Sequence, residues 1–162
     1  MKWNLITPFI AFLIVLLIQI TVIPLIAIAG ITPDLVLISL VYYSISRNQF
    51  YGTVLGASYG FLIDLITGSL LGSSMLSKTI AGFTAGYFSS ETKKDINIST
   101  YTFSLIVFIC ALIDSLIFSL FSAFDLQTNI FKLLIEQALL PSLYTAVVSV
   151  LLIFSPFRRR NF

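Results

Sequence analysis

The sequence predicts an all-α, polytopic membrane protein of about six transmembrane helices, and three observations carry that prediction. Of the 162 residues, 58% are apolar and only 10% are charged. A soluble domain carries about 25% charged residues, so this chain has too little polar surface to coat a water-soluble globule. Near-continuous runs of Leu, Ile, Val and Phe recur from end to end, without the apolar–polar alternation of a soluble core. The basic residues are distributed unevenly between the polar breaks that separate those runs.

The first span is Leu5 to Ala29. Pro8 lies in its first turn, where proline is tolerated, and Pro24 kinks its far end. Ala27-Ile28-Ala29 has the small-x-small form of a cleavage site. The run is about 25 residues, however, well beyond the roughly 7–15 residues of a signal core, and it fits a retained span. After the turn Gly30-Ile31-Thr32-Pro33, the second span runs from about Asp34 to Ser46, with Pro33-Asp34 as the helix start. Arg47-Asn48-Gln49 makes a polar break. The third span is Phe50 to Thr67, Gly68-Ser69 turns the chain, and the fourth is Leu70 to Ser90. A polar loop over Glu91 to Ser99 leads to the fifth span, Tyr101 to Ala123. Asp125 to Asn129 forms a turn before the sixth, Ile130 to Phe154, which Pro141 kinks. The basic tail Arg158-Arg159-Arg160 follows. Together the spans make a single transmembrane domain, residues 1–162.

The second span has an apolar part of roughly 13 residues, short of the ~20 of a full crossing. A re-entrant hairpin of the second and third spans would bury Arg47 at a cost of roughly 2.5–3.5 kcal/mol. Two full crossings are preferred, with the short helix shielded by its neighbours or lying in a thinned bilayer.

With both termini cytoplasmic, seven of the nine basic residues fall on that side: Lys2, Arg47, Lys93, Lys94, Arg158, Arg159 and Arg160. Positive-inside placement favours this topology. Trp3, Tyr42, Tyr43, Tyr51, Tyr87 and Tyr101 then form an aromatic belt at the inner interface.

The sharpest pattern is Gly52-x3-Gly56-x3-Gly60-x3-Asp64. Residues four apart share a helix face, so three stacked glycines make a flat groove for close helix packing. The fourth span answers with Lys78-x3-Gly82-x3-Gly86, and Ser73, Ser74, Ser77, Thr79, Ala81, Thr84 and Ala85 make it small-residue-rich nearly all round. It is therefore expected inside the bundle, helix-packed against the third span. An Asp64–Lys78 ion pair is expected from their places near the shared turn. Asp114 and Glu136 are embedded in the fifth and sixth spans. The intramembrane polar network thus comprises Asp64, Lys78, Asp114 and Glu136. Two of its three carboxylates lack a cation within the network, and they act either as polar staples or as a contact for a ligand, ion or partner.

No histidine is present and Cys110 is the only cysteine. A His-based site and an internal disulfide are excluded, and no cofactor, metal or catalytic residue is assigned. Phosphate-loop and nucleophile-elbow motifs are missing. A net charge of +2, dispersed rather than clustered, gives no reason to expect nucleic acid.

The stretch Pro33-Asp34-Leu35 through Arg47, then Gly52, Gly56, Gly60, Asp64, Gly68, Gly72, Ser77-Lys78 and Gly82 to Gly86, resembles MreD, the small membrane subunit of the bacterial rod-shape (elongasome) machinery. The resemblance covers roughly residues 33–90, and the remainder agrees in hydropathy. It implies a non-enzymatic role in the inner membrane: binding MreC and, through it, supporting MreB, RodA and penicillin-binding protein 2 in lateral peptidoglycan synthesis. It also implies the six-helix S-component fold of energy-coupling factor (ECF) transporters. A substrate-binding transporter subunit of that kind is the alternative function. No contact residue for MreC follows from the matched motif.

Overall fold

The computed structural model describes residues 3–27, 30–89, 101–123 and 134–154. Among these, six α-helices and no strands are present. They are α1 (Trp3–Thr21), α2 (Leu35–Ser46), α3 (Gln49–Thr67), α4 (Ser73–Tyr87), α5 (Tyr101–Ala123) and α6 (Leu140–Phe154). Two stretches, Gln49–Thr67 and Tyr101–Phe121, are long and apolar enough to cross a membrane, and Thr7–Thr21, Leu35–Ser46 and Gln137–Leu151 are shorter apolar helices. The basic clusters at Lys93-Lys94 and Arg158–Arg160, with Lys2, Lys132 and Asp125, lie outside the described residues.

Local chemistry sets the helix ends. α1 stops at Thr21 because Pro24 has no N–H to continue the ladder, and a 3-10 turn over Ile23–Ile26 follows. Asp34 caps α2, its Oδ1 accepting the Leu37 N–H at 2.9 Å. Gln19 on α1 serves the same helix start with both ends of its amide: it donates to the Pro33 carbonyl at 2.9 Å and accepts the Leu35 N–H at 2.8 Å. Asn48 caps α3 by accepting the Tyr51 N–H at 2.8 Å. Gly68, in the left-handed region at φ 67°, ends α3. A π-helical segment over Leu134–Leu139 leads into α6. Pro141 cannot donate to the Gln137 carbonyl and its ring crowds that oxygen, and the widened turn just ahead of it accommodates both effects.

α2 is the central post. It touches α1, α3, α4, α5 and α6, and Val36, Leu37, Leu40, Val41 and Ile45 are almost completely buried. At 12 residues it spans only about 18 Å, less than the ~30 Å hydrocarbon thickness, and its neighbours surround it.

The α3–α4 pair is the tightest contact. Added Cβ atoms would strike backbone at every seam glycine: Gly52 against the Gly82 carbonyl, Gly56 against that of Lys78, Gly60 against Ser74–Met75, and Gly86 against Gln49. The contacts advance along α3 as they retreat along α4, which defines an antiparallel seam with backbones in direct touch. α4 is not enclosed on all sides, because Met75, Leu76, Ile80, Phe83 and Tyr87 form an exposed face. α1 joins the bundle through Tyr59, which is fully buried. Its hydroxyl donates to the Pro8 carbonyl at 2.7 Å, and its ring stacks on Phe12 at 4.1 Å. α5 and α6 are stitched by Ser104 and Ser149, 3.0 Å apart, with Ser104 also donating to the Ala146 carbonyl.

The distribution of polarity is inverted relative to a soluble protein. Outward positions carry residues such as Leu13, Leu65, Leu105 and Leu151, each more than half exposed, while Ser44, Asp64, Ser77, Lys78, Thr145 and Ser149 are buried. Apolar surface of this extent suits hydrocarbon surroundings, and interhelical polar groups suit a membrane bundle.

Candidate functional site

Asp64 and Lys78, the expected pair, are not partners. Gly60 already faces Ser74 and Met75, so Asp64, one turn further along α3, lies beyond the first residues of α4. There it caps that helix. Its Oδ2 accepts from the Gly72 and Met75 N–H groups at 2.9 and 3.2 Å, and its Oδ1 accepts from the Ser74 N–H at 3.1 Å and the Ser69 hydroxyl at 2.8 Å. The residue at the N-cap position of α4, Gly72, has no side chain to do this. A carboxylate at a helix N-terminus is also stabilised by the positive end of the helix dipole, so Asp64 is fully occupied in holding the α3–α4 turn.

Lys78 instead joins two other helices. Its Nζ donates to Asp34 Oδ2 at 2.6 Å and to Asp114 Oδ2 at 3.1 Å. Lys78 and Asp114 are buried, whereas the Asp34 side chain retains 30% of its exposure. The Asp34 N–H donates to Thr145 Oγ1 of α6 at 3.0 Å. One cluster therefore ties α2, α4, α5 and α6 together. Removing Lys78 from it costs about 3–5 kcal/mol, because both carboxylates lose their cation, whereas removing one carboxylate leaves Lys78 paired with the other.

The cluster is not saturated. Asp114 Oδ1 is enclosed and has no hydrogen-bond donor. Ser77 on the facing helix is close enough to act on the Asp114 carboxyl, but its hydroxyl donates to the Ser74 carbonyl at 3.2 Å. Beside the cluster lies a cavity of about 430 Å³ whose walls include Asp34, Lys78, Asp114, Ile63, Ile66 and Phe118. No group of three or more His, Cys, Asp or Glu residues among the described residues could hold a metal ion.

The sequence profile described as "MreD: rod shape-determining protein MreD" matches residues 1–158. The chain belongs to the MreD family. It is thus a rod shape-determining membrane protein, of a family known for cell shape and not for catalysis. No curated protein and no solved structure matches the chain, and no likeness to the S-component fold is shown.

In this MreD-family chain the structure brings Lys78 and Asp114 together and sets Asp64 apart. Glu136 falls in the π-helical segment before α6, and its side chain lies outside the described residues. Asp34 is the residue that sequence reasoning missed. Its place after Pro33 marks it as a helix cap, which accounts for only one of its oxygens. The available signal was that Asp34 and Asp114 both belong to the same end of the bundle as Lys78, the only lysine among the described residues. Gly52, Gly56, Gly60, Gly82 and Gly86 all lie on the α3–α4 seam.

Proposed function

We propose that this chain is a non-enzymatic, multi-pass subunit of the cell-shape (elongasome) complex in the bacterial inner membrane, a single membrane domain that binds MreC and supports lateral peptidoglycan synthesis through MreB, RodA and penicillin-binding protein 2. The family match over residues 1–158 carries the proposal. The outward apolar faces of the helices support action within the bilayer. Six crossings with both termini cytoplasmic agree with the seven basic residues grouped on one side of the chain's polar breaks. The helix ends bearing Tyr42, Tyr43, Tyr51, Tyr87 and Tyr101 supply the aromatic belt at that interface, with Arg47 lying 5.6 Å from the Tyr51 ring centroid.

In this proposal Asp34, Lys78 and Asp114 serve the function of the bundle as well as its fold, because a cluster with unused hydrogen-bonding capacity is poorly suited to be a staple alone. Depletion in a rod-shaped host should give round cells, and mild detergent extraction should recover MreC with the chain. Rods that persist after depletion, or extraction without MreC, would contradict it.

A further inference from the structure

Among the described residues, the cavity beside Asp34, Lys78 and Asp114 presents three facts that belong together. First, two carboxylates share one ammonium, unequally, at 2.6 and 3.1 Å. Second, the carboxylate with the longer contact, Asp114, is the one with an oxygen lacking any donor. Third, the carboxylate with the shorter contact, Asp34, is the exposed member, and it lines the cavity.

We propose that this cavity binds a small protonated amine at the Asp34 carboxylate, and that its arrival releases Lys78 to pair fully with Asp114. The geometry favours a cationic donor: two carboxylates share a single ammonium, and one oxygen, Asp114 Oδ1, makes no hydrogen bond. An ammonium head takes over the role of Lys78 at Asp34 Oδ2. Lys78, with three N–H donors and only two in use, then turns toward Asp114 and supplies the donor that Oδ1 lacks.

The cavity volume favours an organic cation over a bare ion. About 430 Å³ falls within the range of roughly 300–1,000 Å³ typical of small-molecule sites. Its apolar wall of Ile63, Ile66 and Phe118 suits a hydrocarbon body attached to the amine. Such a group reaches the site either as a free alkylamine or as the headgroup of an aminophospholipid. The inference stands independently of the cell-shape proposal.

The test uses the full chain purified in an amine-free detergent buffer. Titration calorimetry with n-hexylammonium should show saturable binding, with a saturable rise in melting temperature, while n-hexanol of the same length gives neither. Native mass spectrometry from nanodiscs with and without phosphatidylethanolamine separates the two sources: a retained lipid identifies the headgroup, and its absence alongside hexylammonium binding identifies a free amine. Asp34→Asn removes the charge while asparagine still caps α2, and it should weaken hexylammonium binding about tenfold or more. Ser115→Leu narrows the cavity, of which Ser115 is a wall residue, leaves Asp34, Lys78 and Asp114 in place, and should also weaken binding. If Asp34→Asn does not fold, the wild-type comparison of amine with alcohol and the Ser115→Leu variant still decide. Equal behaviour of hexylammonium and hexanol, or undiminished amine binding in either folded variant, would overturn the proposal.

Discussion

Asp64 and Asp114 are both buried carboxylates on apolar helices, yet their surroundings differ. Asp64 receives two backbone N–H groups on Oδ2, and one N–H and a hydroxyl on Oδ1, all from the turn and first residues of α4. Asp114 has a shared lysine on one oxygen and no donor on the other. A carboxylate whose acceptors are filled by the neighbouring turn is a structural part of that turn. One with spare capacity beside a cavity has a reserve that a second state of the protein can use. The same division separates the regions around them. The α3–α4 seam is backbone against backbone, and the Asp34–Lys78–Asp114 crossing is charge around a space.

Three single replacements, one of them with a compensating partner, probe that difference. Lys78→Met should have the largest effect, about 3–5 kcal/mol, because two carboxylates are left facing each other without a cation. The double replacement Lys78→Met, Asp114→Leu should recover much of the loss, since the remaining carboxylate, Asp34, is partly exposed. Thermal unfolding in detergent measures both. Gly56→Leu should cost about 3 kcal/mol, because its side chain would have to displace the backbone of α4 at Lys78. The yield of folded protein on size exclusion should fall accordingly, and a wild-type yield would show that the seam can open without loss. Asp64→Asn should have the smallest effect of the three, about 1–2 kcal/mol, the scale of a weakened helix cap. The variant should bind MreC normally once folded, as co-extraction would show.

Legibility in the sequence divides along the same line. The seam was readable because a four-residue glycine spacing maps directly onto one helix face, and helix geometry needs no partner to be known. The breaks at Gly68-Ser69 and Arg47-Asn48 were readable for the same local reason. Pairing among embedded charges was not, because it depends on which helices cross and at what height. Asp64 is near Lys78 in sequence, but the antiparallel register carries it past the start of α4. Asp34 and Asp114, separated from Lys78 by 44 and 36 residues, meet it only through the placement of α2 at the centre of the bundle. The widened turn before Pro141 was foreseen only as a kink, since a proline fixes the place of a distortion but not its form.

The division between Asp64, which serves the fold, and Asp114, proposed to serve the function, can be measured. Its most direct test is complementation of a rod-shaped host depleted of this protein with Asp114→Asn, scoring cell shape together with the amount of the variant in the membrane. Asparagine keeps the size of the side chain and removes its charge. Membrane levels near those of the wild type and round cells are expected. Rod-shaped cells at normal variant levels would contradict that division.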